Sequence, residues 1–209
     1  KWTRDDFDDD TLNLNWEFVR NPVKGNYSLT ERKGYLRLWT MDGTLNEIRA
    51  KNTLVRREQE LSYTAHTKGL TSILKKDGEQ AGLTCYYSTA TYARLSLCYE
   101  NGRKLQLVIN RNHGEELISQ VDNIKEQSIY LKVVVDKLTR SFFYSYDGEQ
   151  WESAGVLEIV YICVMRVCLM TESVIQERLL EYMPIMVAAE AGYRQILIIL
   201  NMRTRFYEF

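Results

Sequence analysis

The chain has 209 residues, enough for one sizeable domain with an appendage. Apolar residues make up 45% and charged residues 26%, which is ordinary for a globular protein. Because the formal net charge is −1, no long-range attraction to nucleic acid or to an anionic membrane is expected. The apolar run at 196–200 is also far too short to span a bilayer. The 14 Tyr and four Trp suit both a β-sheet core and contact with sugars, and core packing is preferred for most of them.

The four cysteines form no CxxC pair and have no histidine close in sequence to complete a zinc site. Cys85 and Cys98 lie inside apolar strand patterns, which predicts buried free thiols and favours a reducing compartment, so a cytoplasmic location is expected. The chain starts at Lys1 and shows no signal peptide, so we expect it to be cut out of a longer protein.

Alternation of apolar and polar residues with period two dominates the sequence before residue 156. Asn101-Gly102 between two alternating segments predicts a tight hairpin, because both turn residues tolerate positive φ. A second turn is predicted at Asp147-Gly148. Short strands joined by short polar turns indicate an all-β, two-sheet antiparallel sandwich. The predicted strand segments are 34–39, 60–68, 81–87, 92–100, 103–110, 128–136 and 140–151.

Composition changes after Val156. All ten Asp and all eleven Lys lie at or before residue 147, whereas five of the six Met lie after residue 164. The segment 171–183 has Thr171 as a helix cap and one apolar face, which predicts an amphipathic helix.

Several motifs resemble the C-terminal concanavalin A-like sandwich (a jelly roll) of family 43 glycoside hydrolases, which are β-xylosidases and β-xylosidase/α-L-arabinofuranosidases. The resemblance runs from about residue 2 to 156 and fails after about 162. We therefore assign residues 1–162 to the sandwich domain and 163–209 to a tail outside the family. The motifs are "RDDFDDDTLNLNWEFVRNP" (4–22), "GYLRLW" (34–39), "LVRREQ" (54–59), "EQAGLTCYY" (79–87) and "FFYSYDGEQW" (142–151).

The tail permits a second interpretation, because the closing motifs of the family are missing from it. If the frame is shifted by one base, Met183-Pro184 must give Ala and Met186-Val187 must give Gly, since Met has a single codon. Residues 181–191 can then read "IYADNGGSGS" and 194–203 can read "ADFDYFKYE", which match the family. We interpret 163–209 as out-of-frame translation that begins between Ile162 and Met165. Such a tail should be helical or disordered and leave the sandwich incomplete, with an exposed strand edge.

The resemblance implies that the catalytic acids sit on an N-terminal five-bladed propeller, of which nothing is visible here. The chain is therefore expected to be no enzyme on its own, but a fragment of a xylan 1,4-β-xylosidase type of enzyme that needs no cofactor. The acidic cluster near the start is interpreted as solvated turn carboxylates, with a calcium site at Asp6, Asp8 and Asp10 as the alternative.

Two histidines, His66 and His113, have no catalytic motif nearby and are interpreted as structural. Trp16 and Trp39 are predicted to be buried anchors of the sandwich. Trp151 follows a turn and is the candidate for carbohydrate contact.

The function that the resemblance implies is accessory. The domain would pack on the catalytic propeller, its expected partner, and shape the rim of a pocket for xylo-oligosaccharides. Two alternatives stay open, namely an independent carbohydrate-binding module for xylan and a purely structural sandwich.

The frame interpretation makes a prediction about the encoding DNA. A one-base shift near codons 162–165 should restore both closing motifs in order. Sequencing the gene checks this, and codons that cannot spell the motifs would refute the interpretation.

Overall fold

A computed structural model describes residues 2–58, 60–70, 74–112, 114–158, 184–190 and 202–206. In this part of the chain the ordered elements are β-strands, and no helix is long and apolar enough to cross a membrane. The strands are β1 (Trp2–Asp5), β2 (Glu17–Phe18), β3 (Tyr27–Ser28), β4 (Arg37–Leu38), β5 (Thr53–Arg57), β6 (Ser62–Leu70), β7 (Gln80–Ser88), β8 (Thr91–Tyr99), β9 (Arg103–Arg111), β10 (Gly114–Val121), β11 (Ser128–Asp136), β12 (Thr139–Ser145), β13 (Glu152–Glu158), β14 (Pro184–Glu190) and β15 (Met202–Phe206).

The strands build two antiparallel sheets, so the predicted all-β sandwich is confirmed. Counted over the described residues, one sheet has six strands in the order β1-β15-β6-β11-β12-β13. The other has seven, in the order β10-β9-β8-β7-β14-β5-β2, and β3 and β4 form a small separate pair. The two sheets enclose one apolar core because alternate side chains of each strand face inward.

The alternation rule placed the central strands well. The predicted segment 128–136 has the bounds of β11, and its residues alternate between half-buried and buried along most of the strand. The Asn101-Gly102 hairpin is confirmed, with φ of 53° and 136° at the two residues. Cys85 and Cys98 are buried free thiols, as predicted, and burial raises the pKa of the Cys85 thiol to about 12.

Two tail segments lie inside the sheets. Residues 184–190 form β14 between β5 and β7, and residues 202–206 form β15 between β1 and β6. The prediction that the tail would leave these positions empty is therefore wrong for these two segments. The hydrogen bonds between strands join backbone amides and carbonyls and do not depend on side chains. Any extended segment can therefore pair with two open strand edges.

The rest of the tail, including the predicted helix at 171–183 and the cysteines Cys163 and Cys168, lies outside the described residues. With β14 and β15 in the sheets, the frame interpretation no longer has support from the fold. It stands as a prediction about the DNA alone.

A buried ion pair joins the sheets at one end of the sandwich. Glu58 follows β5 of the seven-stranded sheet, and Arg140 belongs to β12 of the six-stranded sheet. The Arg140 Nη2 lies 3.3 Å from Glu58 Oε2, and the side chains are 1% and 4% exposed. The Tyr63 hydroxyl donates to the same carboxylate. Burial raises the pKa of Glu58, and the charge of Arg140 opposes that rise.

Removal of one partner should show how much the fold depends on this pair. We expect Arg140→Met to lower the free energy of unfolding by about 3–5 kcal/mol, because it leaves a buried carboxylate without its cation. Adding Glu58→Gln should recover part of that loss. Urea unfolding followed by circular dichroism measures both variants.

The pH dependence of the Arg140→Met variant follows from the same reasoning. Loss of the cation raises the pKa of Glu58 further, so the folded state binds a proton more tightly than the unfolded state. Stability is then present below the ordinary Glu pKa of 4.5 and is lost as the pH rises.

The matched control is Arg111→Met, which breaks an exposed pair with Glu116 and should cost about 0.2–1 kcal/mol. An equal cost for both arginines would contradict the role of the buried pair.

Candidate functional site

The outward face of the six-stranded sheet carries a cluster of aromatic and cationic side chains. Register places Lys132 of β11 opposite His66 of β6 on one side and opposite Phe143 of β12 on the other. Their neighbours along each strand, such as Ala65, Val133 and Phe142, point into the core. Strand alternation therefore forces His66, Lys132 and Phe143 to the outside in one row.

Trp151 lies against this row. Its ring stacks on the His66 imidazole with centroids 6.1 Å apart and planes inclined by 15°. The Lys132 Nζ lies 3.8 Å from the Trp151 ring centroid and 4.9 Å from that of Phe143. These distances are within the range of cation–π attraction. We call His66, Lys132, Phe143 and Trp151 the aromatic platform.

The turn between β12 and β13 presents Trp151 to the platform. Asp147 Oδ1 accepts hydrogen bonds from the backbone amides of Glu149 and Gln150, at 2.7 and 2.8 Å, and from the Ser145 hydroxyl at 2.9 Å. These bonds lower the pKa of Asp147, with the Gln150 amide contributing most. The predicted turn at Asp147-Gly148 is confirmed, and the Asp147 carboxylate holds it together just before Trp151.

The platform offers a half-exposed indole ring together with an imidazole and an amine. Burial lowers the pKa of Lys132 from its ordinary value of 10.5. A flat ring beside hydrogen-bond donors suits the apolar face and hydroxyls of a sugar. His66, which the sequence analysis interpreted as structural, lies at one end of the row, against Trp151. In the sequence, His66 and Lys132 both occupy outward positions of their alternating strands. That pattern shows that they are neighbours only when the register of the two strands is known.

The other predicted aromatic residues are more structural. Trp16 is buried, as predicted, and its Nε1 donates to Asp5 Oδ2 at 2.7 Å. Trp39 is half-buried, with the Arg37 guanidinium 5.5 Å from its ring centroid, so it is a less complete anchor than expected. His113 lies outside the described residues.

The acidic cluster separates into distinct roles. Asp5 accepts hydrogen bonds from the Phe7 amide and from Trp16, which ties the first loop to the core. Asp6 is half-buried, and Asp8 and Asp10 are exposed. Over the described residues, no group of three or more His, Cys, Asp or Glu side chains converges as a metal site, so the calcium alternative gains no support from the geometry.

Comparison with known families places the domain. The model of the β-xylosidase C-terminal concanavalin A-like domain matches residues 4–167. The chain belongs to this family. The chain is similar to a putative β-xylosidase of Escherichia coli, with 34% identity over 73% of the chain and 30% of that protein. It is also similar to a β-xylosidase of Bacillus subtilis, with 29% identity over 73% of the chain and 29% of that protein.

Solved structures agree with this assignment. The GH43 protein BlXynB of Bacillus licheniformis superimposes with a TM-score of 0.78 at 38% identity, covering 97% of this chain and 38% of that one. The xylan β-1,4-xylosidase of Bacillus halodurans has a TM-score of 0.82 at 21% identity over 97% of this chain and 39% of its own, which shows a shared fold alone. The chain thus spans about three-tenths of the length of the curated relatives.

Gly148 tests whether the turn before Trp151 depends on a left-handed backbone conformation. Gly148 has φ of +83°, and an added Cβ would lie 3.2 Å from the Tyr130 ring. We expect Gly148→Ala to lower the free energy of unfolding by about 1–2 kcal/mol, because alanine is strained in the left-handed region. Gly69→Ala is the control, since its Cβ would meet nothing within 4 Å. Urea unfolding compares the two variants, and equal effects would show that the turn is not under this constraint.

Proposed function

We propose that this chain is the accessory domain of a β-xylosidase or α-L-arabinofuranosidase that acts on xylan oligosaccharides. In this role the domain packs on the catalytic propeller and shapes the rim of its pocket. Membership of the family carries the proposal, together with the share of the relatives that the chain spans. A relative in Bacteroides ovatus, 35% identical over 107 residues, is described as a non-reducing end α-L-arabinofuranosidase, which supports the same class of enzyme.

Exposed apolar side chains support a packing role. Leu14, in the loop before β2, is 97% exposed, and Ile48, in the loop before β5, is 80% exposed. Covering an exposed aliphatic side chain of this size with a partner surface lowers the free energy, because apolar area is removed from water. Both loops precede strands at the β2–β5 edge of the seven-stranded sheet, which makes that edge our candidate for contact with the propeller.

The aromatic platform favours a second candidate function, an independent sugar-binding module. It lies on the outward face of the six-stranded sheet, away from the β2–β5 edge. A half-exposed Trp151 beside hydrogen-bond donors would contact xylan without the propeller.

The accessory role predicts a measurable effect of the two exposed residues. DNA upstream of codon 1 should encode a propeller, and adding the domain to that propeller should increase hydrolysis of xylobiose. We expect Leu14→Asp with Ile48→Asp to weaken this association about tenfold or more, since losing about 1.4 kcal/mol of contact energy has that effect. Titration of domain into propeller, read by activity, measures it.

A control substitution at the opposite edge of the sheet tests whether the loss of association is specific to Leu14 and Ile48. Leu117→Asp replaces a leucine that is 53% exposed on β10, at the far edge of the same sheet, and should leave association unchanged. If adding the domain does not change the rate at which the propeller hydrolyses xylobiose, the accessory role is refuted. An independent module would instead be retarded in a xylan-containing gel, and Trp151→Ala would abolish the retardation.

A further inference from the structure

The outward face around the platform is positively charged at its centre. The strands β6, β11 and β12 contain one acidic residue, Asp136, which lies at the end of β11 and accepts a hydrogen bond from the Ser62 hydroxyl at 2.7 Å. The outward lysines Lys68 and Lys132 lie nearer the middle of the face. In the described part of the chain neither lysine forms a salt bridge with a carboxylate.

Both ammonium groups are instead held over aromatic rings. Lys132 lies over Trp151 and Phe143, and the Lys68 Nζ lies 5.1 Å from the Tyr130 ring centroid. Cation–π contact positions each amine but leaves its N–H donors free to bind an anion. Lys68 stands two residues along β6 from His66, about 7 Å at the usual rise of a strand. Because Lys132 pairs with His66, Lys68 and Lys132 are diagonal neighbours on antiparallel strands, about 7–8 Å apart, a span that one sugar ring can cover.

Hydroxyl groups flank the same row. Thr64 of β6 and Ser141 of β12 face outward on either side of Val134. This second row lies two residues along the strands from the row that contains Lys132. The face thus combines a ring for stacking, hydroxyls for hydrogen bonding and two cations for a negative charge. A neutral sugar could accept hydrogen bonds from the two ammonium groups, but only an anionic sugar would also neutralise their charge.

We infer that the aromatic platform binds a carboxylate-bearing sugar, a uronic acid residue of an acidic polysaccharide, with the sugar ring on Trp151 and the carboxylate between Lys132 and Lys68. This inference rests on the sugar-binding role proposed above for the platform and adds the chemical class of its ligand. Hydrogen bonds between ammonium and carboxylate are about twice as strong as neutral ones, so the charge should dominate the selectivity.

Affinity electrophoresis with matched polymers tests the inference on the full chain. The gels contain glucuronoxylan, or the same glucuronoxylan after chemical reduction of its carboxyl groups. We expect the intact polymer to bind about tenfold or more tightly than the reduced one, the effect of about 1.4 kcal/mol from a charge-assisted contact. Lys68→Gln and Lys132→Gln should each reduce the ratio of the affinity for the intact polymer to that for the reduced one, and Trp151→Ala should weaken binding to both polymers.

The control is Lys104→Gln, which removes a lysine paired with Glu100 on the other sheet and should change neither affinity. Equal binding to intact and reduced polymer would overturn the inference while leaving a neutral sugar-binding role intact. Binding to neither polymer would overturn both, and the propeller titration would still decide the accessory role separately. Equally tight binding to polyglutamate would also overturn the inference, because it would show attraction to any polyanion.

Discussion

The Glu58–Arg140 ion pair is the buried charged contact through which the two sheets of this sandwich depend on each other. Its two members come from different sheets, and each would be a costly isolated charge without the other. Tyr63 adds a hydroxyl donor to the same carboxylate. The pair therefore links the start of β12 in one sheet to the residue just after β5 in the other. Arg140 and Phe143 lie on the same strand, so β12 connects this contact to the aromatic platform.

Strand alternation then divides each central strand between two tasks. Inward residues of β11, such as Leu131 and Val133, fill the core, and the outward Lys132 between them meets its cross-strand neighbours. A one-residue slip would bury Lys132 and expose Leu131 and Val133, so the core enforces the register. The same register therefore determines which outward side chains meet in the aromatic platform.

The sequence was sufficient for the central strands because their apolar period is strong and their turns have recognisable chemistry, as at Asn101-Gly102. It indicated Trp151 through its place after the Asp147-Gly148 turn. It could not identify His66 and Lys132 as neighbours, because they are far apart in sequence and register decides which residues meet. The buried Arg140 was missed for a similar reason: its partner Glu58 comes from the other sheet, and no local pattern announces such a pair.

The tail shows where side-chain patterns and backbone pairing diverge. Composition set residues 163–209 apart from the rest of the chain, yet β14 and β15 pair with strands of both sheets. An open position between two strands offers unpaired amides and carbonyls on both sides, and this demand is independent of sequence. Side chains decide instead how much free energy a strand contributes once it is in place. A strand with the sequence of the family and an unrelated extended segment can therefore make the same backbone hydrogen bonds and still differ in stability. For this reason the DNA, and not the fold, decides the origin of this segment.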